Sequence, residues 1–189
     1  MRTTATTGTH IRTTGPALLV LVAALLLASV VPATAGSGAA DQAPTHQQAS
    51  KRLVTWKGDG AKIRRASGDL QKLDATTRAF KAFTRKKLDQ LWGWTDHDPA
   101  CAKAPVIYVK RWRSDGWAQI PNMGVFGPRE SCIQGGHWEI WAIKDGRWRT
   151  VLGGQDLPRC SQLRRKQVPA KFADVCYNAD AQAVHYTGP

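Results

Sequence analysis

Four cysteines constrain this chain more than any other residues. Cys101, Cys132, Cys160 and Cys176 all lie beyond residue 100 of 189, and none forms a Cys-x-x-Cys pair. An even set without short pairs reads as disulfides, provided the chain is exported. The N-terminus supplies that condition. Residues 1–16 carry Arg2, His10 and Arg12 and no acid, Ala17 to Val31 is almost wholly apolar, and Pro32-Ala33-Thr34-Ala35 offers small residues where a signal peptidase reads. The pattern predicts a secretory signal over 1–35, a small, polar, flexible linker over 36–50, and a single disulfide-stapled domain over 51–189. An uncleaved anchor is the rival, since a membrane span needs about 20 apolar residues. Pro32 and the Ala-x-Ala ending favour cleavage and a secreted protein, extracellular or associated with the cell envelope.

Three disulfide pairings are open. Cys101–Cys132 and Cys160–Cys176 fit best, because Cys101 opens the first strand region and Cys132 lies in the loop leading into a later strand, and the other two bracket one compact C-terminal segment. Spacings of 31, 28 and 16 residues lack the short pairs of structural zinc modules, so no metal is expected. No cofactor is expected either: the chain has no GxxxxGKS phosphate loop, no GxSxG and no HExxH.

The fold class reads as α+β. Residues 75–92 are the clearest helix, with Asp74 as its cap, Phe80, Phe83, Leu88, Leu91 and Trp92 on one face, and Arg78, Lys81, Arg85, Lys86 and Lys87 on the rest. Short strands are expected at 52–56, 106–112, 117–120, 137–143 and 147–152. Residues 121–136, rich in Gly and Pro, read as a long loop with room for a short strand at Val125-Phe126, and 157–189 as a helical turn in each half. Asp145-Gly146 is a tight-hairpin signal, because both turn residues need positive φ. One amphipathic helix must then cover a curved antiparallel sheet of four to five strands, which is cystatin- or NTF2-like in element order.

A two-residue turn at Asp145-Gly146 pairs Ile143 with Trp148, Trp141 with Thr150 and Glu139 with Leu152. Alternation puts His137, Glu139, Trp141, Ile143, Trp148 and Leu152 on one face, towards the helix. His137 and Glu139 are the candidate acid/base couple, against a plainer role as a polar rim, with no nucleophile or second carboxylate indicated beside them. Asp96-His97-Asp98 reads as an exposed turn.

The charge is the other constraint. The chain has 27 Lys and Arg against 14 Asp and Glu, a net charge of +13. Removing 1–35 takes away Arg2 and Arg12 and no acid, which leaves 25 against 14, or +11. Two Arg-Trp-Arg triplets, at 111–113 and 147–149, place guanidinium groups opposite a packed Trp. Arg111, Arg113, Arg147 and Arg149, with Trp117, are the candidate ligand-binding residues for an anionic polymer or, through aromatic stacking, a glycan. Nucleic acid is not excluded as a partner. Trp112, Trp141 and Trp148 are expected in the core, and Trp117 and Trp138 are the rings to check for exposure.

The stretch Trp141 to Asp156, Cys160-Ser-Gln-Leu-Arg-Arg165, Val168-Pro169, Cys176-Tyr177 and Phe80-Lys-Ala-Phe83 resembles secreted actinobacterial proteins without an assigned activity. The resemblance spans about residues 52–178 and implies export, disulfides and one domain, and no mechanism. The functional expectation is an exported, non-enzymatic domain that binds an anionic or glycan partner at the envelope or in the medium. The alternatives are an envelope-polymer hydrolase using His137 and Glu139, and an interaction or inhibitor module using 121–136.

Overall fold

The computed structural model describes residues 51–66 and 68–189. The expected signal and linker, residues 1–50, lie outside the described residues. Nine strands and two α-helices follow one another in chain order: β1 (Leu53–Thr55), β2 (Ala61–Arg64), α1 (Arg78–Gly93), β3 (Pro105–Val109), β4 (Arg111–Arg113), β5 (Trp117–Phe126), β6 (Ile133–Lys144), β7 (Arg147–Gly154), α2 (Cys160–Arg165), β8 (Val175–Tyr177) and β9 (Ala183–His185). The architecture is α+β. One main helix packs on a large antiparallel sheet, open rather than closed into a barrel.

The sheet contains seven strands in five lanes, which reconciles it with an expectation of four to five. β3 and β4 are one lane broken at Lys110, and β1 and β2 pair with its two parts, Val54 opposite Trp112 and Ile63 opposite Ile107. β5 pairs with that lane on one side and with β6 on the other, and β7 closes the far edge. Gly60 makes the break between β1 and β2 possible. Its φ is +107°, and a Cβ there would sit 2.5 Å from the Val109 carbonyl oxygen.

Several expectations are corrected. The helix begins at Arg78, not residue 75. A 3₁₀ turn over Gly68–Leu73 precedes it, and Thr77 is the cap, its Oγ1 accepting the Phe80 N–H at 3.2 Å. Asp74 instead accepts a bond from Lys81 at 2.9 Å. Residues 121–136 are not a loop. They are the ends of β5 and β6, joined through 127–132, with Pro121 at a register shift where no ladder N–H is needed. Both C-terminal helical turns, α2 and Ala170–Phe172, fall before residue 173, and the β8–β9 hairpin follows.

The two faces of the sheet carry separate clusters. On the helix side, Phe80, Leu88 and Leu91 meet Ile107, Val109, Trp112, Ile120, Trp141 and Trp148. Trp112, Trp141 and Trp148 are buried, as alternation required. On the rear, Ile140 packs with Leu163, Val168, Phe172 and Tyr186, and the half-buried Trp117 and Trp138 join them. The C-terminal segment is therefore a lid on the back of the sheet. Two disulfides fix this arrangement: Cys101–Cys132 and Cys160–Cys176.

Candidate functional site

The helix-side face of β6 brings its polar residues to one end of α1. Trp141 is committed to the core, so period two sends Glu139 and His137 to the same face. Ile120 of β5 lies beside Glu139 on one side and Gly153 of β7 on the other. The glycine leaves room there, since a Cβ at 153 would sit a tight 3.0 Å from Glu139 Cγ.

The expected pairing of Glu139 with Leu152 is corrected by a bulge. Trp141 stands opposite Thr150, as read, but Ile140 stands opposite Leu152, so Val151 is an extra residue. The shift moves Leu152 to the rear cluster. Ile143, also expected to face the helix core, is 41% exposed at the hairpin end.

Glu139 is the centre of the site. Its side chain is 8% exposed. Oε1 accepts from Lys87 Nζ at 2.8 Å and lies 3.2 Å from His137 Nε2, while Oε2 accepts from Thr150 Oγ1 at 2.8 Å and from the Trp141 indole N–H. Lys87 also donates to Thr150 Oγ1 at 3.1 Å. Burial by itself raises the Glu139 pKa, but the Lys87 ammonium, followed by the Trp141 and Thr150 donors, outweighs it and holds the carboxyl below its ordinary value. The group is therefore an anion whose four acceptor positions are all taken. It orients the neighbours that donate to it. Of the three core tryptophans, only Trp141 has an acceptor for its N–H.

His137 stands at the opening of this network. Nε2–H donates to the carboxylate, which leaves Nδ1 of the neutral ring as an acceptor. The Trp94 ring lies 5.6 Å away at an interplanar angle of 33°, and Trp94 is 47% exposed. Trp94 and His137 border an open groove of about 610 Å³, with Gln134 and Gln155 on its walls and Gly135, Gly153 and Gly154 giving it a floor without side chains. Gln90 and Lys87 border the same region from α1.

Lys87, Thr150 and Trp94 were not among the candidate site residues, and Lys87, expected on the polar side of the helix, instead turns inward to Glu139. Lys87 had a readable signal. It falls between Phe80, Thr84, Leu88 and Leu91 on the inward stripe of α1, and a lysine there needs a buried acid. Thr150 follows from the hairpin register, which sets it opposite Trp141 and so on the face of Glu139. Trp94 owes its place to the helix end, where the Trp92 indole N–H donates to the Asp98 carbonyl at 3.1 Å and Arg65 stacks 3.7 Å above the Trp92 ring. Asp96 and His97 adopt positive φ in that turn, and Asp98 caps the next one by accepting the Ala100 N–H. Asp98 also lies near Cys101 and Cys132, but those two sulfurs are bonded to each other, so the three are no ligand set.

The arginine candidates lie on the rear face. Register places Arg113, Trp117, Ala142 and Arg149 in one row across β4 to β7. Arg111 and Arg113 do not project freely into solvent. Arg111 Nη1 donates to Gln119, to the Lys171 carbonyl and to Asp174, and Arg113 pairs with Asp115 at 2.5 Å with its guanidinium over Phe172. Both hold the C-terminal lid. Arg147 and Arg149 are exposed, Arg149 4.0 Å from Asp145, and Lys144 lies over Trp117.

No protein-family model matches the chain, and neither a curated protein nor a solved structure does. Of what the resemblance to secreted actinobacterial proteins implied, the two disulfides are present. Among the described residues, no helix is long and apolar enough to cross a membrane.

Proposed function

We propose that this chain is an exported, non-enzymatic domain that binds a glycan of the cell envelope in the groove beside Trp94. The observation that carries the reading is the exposed Trp94 ring at the wall of an open groove. An indole face stacks on the apolar face of a sugar ring, while Gln134, Gln155 and His137 offer both donors and acceptors to hydroxyl groups. The cation nearest the groove, Lys87, is already neutralised by Glu139, which favours an uncharged sugar surface over a polyanion at this place. Two disulfides support an extracellular setting.

Sedimentation with insoluble envelope polysaccharide tests this. The protein should co-sediment at both 0.1 and 1 M salt, because stacking and neutral hydrogen bonds do not release counterions. Trp94→Ala should weaken binding about tenfold or more, roughly 1.4 kcal/mol. Binding that vanishes at high salt and ignores Trp94 would instead assign the partner to the exposed Lys144, Arg147 and Arg149.

A second reading, hydrolysis of an envelope polymer, is favoured by one contact. An imidazole held through Nε2 by a buried carboxylate keeps Nδ1 to accept a proton from water, with Glu139 as a positioning residue. Release of reducing ends or of an acyl group from the bound polymer, lost in His137→Ala while binding persists, would establish it. A wild-type protein that releases nothing over hours rules it out.

A further inference from the structure

We propose that the cleft between the rear of the sheet and the C-terminal lid is a small-molecule site for a compound with a short aliphatic or single-ring body and a primary ammonium head. The cleft lies on the opposite side of the sheet from the α1 core, and the proposal does not rest on the glycan reading. Its volume is about 240 Å³, below the roughly 300–1,000 Å³ of drug-sized sites, so its ligand is small.

Trp138, Ile140 and Phe172 line the apolar part, together with Leu157 and Val175. Leu157 is 41% and Val175 38% exposed. Two branched apolar side chains left in water on one concave surface are covered only when something apolar enters it, and that removal from water is favourable. The lid that carries them is anchored independently, by Cys160–Cys176 and by the Arg111 bonds to Lys171 and Asp174, so the cleft is preformed and need not be assembled by its ligand.

The polar end decides the head group. Gln119 and Asp174 line it. Asp174 Oδ1 takes the Arg111 N–H at 2.9 Å, but Oδ2 has only the Gln119 amide at 3.5 Å, beyond an ordinary hydrogen bond, and the side chain is 56% exposed. The adjoining hollow adds Asp59, while its cation, Lys110, is engaged by the Gly58 carbonyl. The end of the cleft thus presents Asp174 Oδ2, a carboxylate oxygen with one long contact and room for a further donor, beside an Arg111 Nη1 already shared among three acceptors. An ammonium head supplies that donor, whereas a carboxylate head would set oxygen against oxygen at Oδ2.

Calorimetric titration of the secreted protein with hexylamine, benzylamine, hexanol and hexanoate tests the site. One of the amines should bind, with hexanol weaker and hexanoate weaker than the better amine by about tenfold or more. Ala173→Leu, which fills the cleft from its wall, should abolish binding of both amines. Asp174→Asn keeps an oxygen that can accept the Arg111 N–H while removing the charge, and the Lys171 carbonyl and Cys160–Cys176 still hold the lid, so it should leave hexanol binding in place and remove the advantage of the amine. The proposal is overturned if neither amine binds at millimolar concentration, if hexanoate equals the better amine, or if Asp174→Asn leaves the amine preference intact.

Discussion

Glu139→Gln should lower the unfolding free energy by about 3 kcal/mol, the low end of what breaking a buried ion pair costs. The carboxylate accepts four donors within a side chain that is 8% exposed, and the lysine it pairs with is 14% exposed. An amide keeps the shape but presents an NH₂ to neighbours that are themselves donors, so at least one donor is left facing another. Lys87 has a little access to water and can partly escape, which is why the low end applies. Urea unfolding measures the change, and a loss under 1 kcal/mol would contradict a central role for the carboxylate.

The same substitution should flatten the acid limb of stability. The Glu139 carboxyl has its pKa lowered in the folded protein from a reference of 4.5. A lowered folded value means that the unfolded state takes up the proton first as pH falls. The stabilisation is therefore complete above about pH 4.5 and is lost as pH drops through the folded value. The gap between wild type and Glu139→Gln should be largest near pH 6 and should shrink below pH 4. A gap that is constant with pH would mean that the effect of Gln is steric and not one of charge.

Removing the second disulfide should have an effect of similar size but different reach. Cys160 and Cys176 are 16 residues apart, and the chain-entropy treatment gives such a closure about 3 kcal/mol. What it holds is the rear cluster, where Leu163, Phe172 and Tyr186 cover Ile140. In Cys160→Ser/Cys176→Ser, amide hydrogens of α2 and β8–β9 should exchange faster by a larger factor than those of β5 and β6, since the helix-side core keeps its own cluster and the Cys101–Cys132 bridge. Equal acceleration across all strands would show that lid and sheet unfold as one unit. Hexylamine binding should fall in this variant and polysaccharide binding in the Trp94 groove should persist, which separates the two proposed sites.

Much of this fold was legible because its signals are local. Period two through Trp141 and Trp148, the Asp145-Gly146 turn, and the inward spacing of Phe80, Leu88 and Leu91 each follow from a few neighbouring residues, and each holds in the structure. His137 and Glu139 were read as a pair at the rim of the helix-side core, and they are in contact there. Residues 121–136 misled for a physical reason. Gly124, Gly135 and Gly136 resemble a loop by composition, yet they lie in strands, with the Phe126 ring set close against Gly124 and Gly136. Arg111 and Arg113 were assigned the correct face, but a face is not an exposure. Whether it meets water depended on a segment some 60 residues further along the chain.

By itself the sequence determined the α+β class, the helix face, the hairpin and the pool of cysteines, because periodicity and turn chemistry act over a few bonds. Tertiary structure decided the rest. The extra residue at Val151 rotated Leu152 to the rear and set Gly153 opposite Glu139. The inward Lys87 met the buried Glu139, and the C-terminal lid turned two candidate anion-binding arginines into its own anchors. Those outcomes rest on which distant groups share a low-dielectric space, and a charge there is set by its partners rather than by its place in the chain.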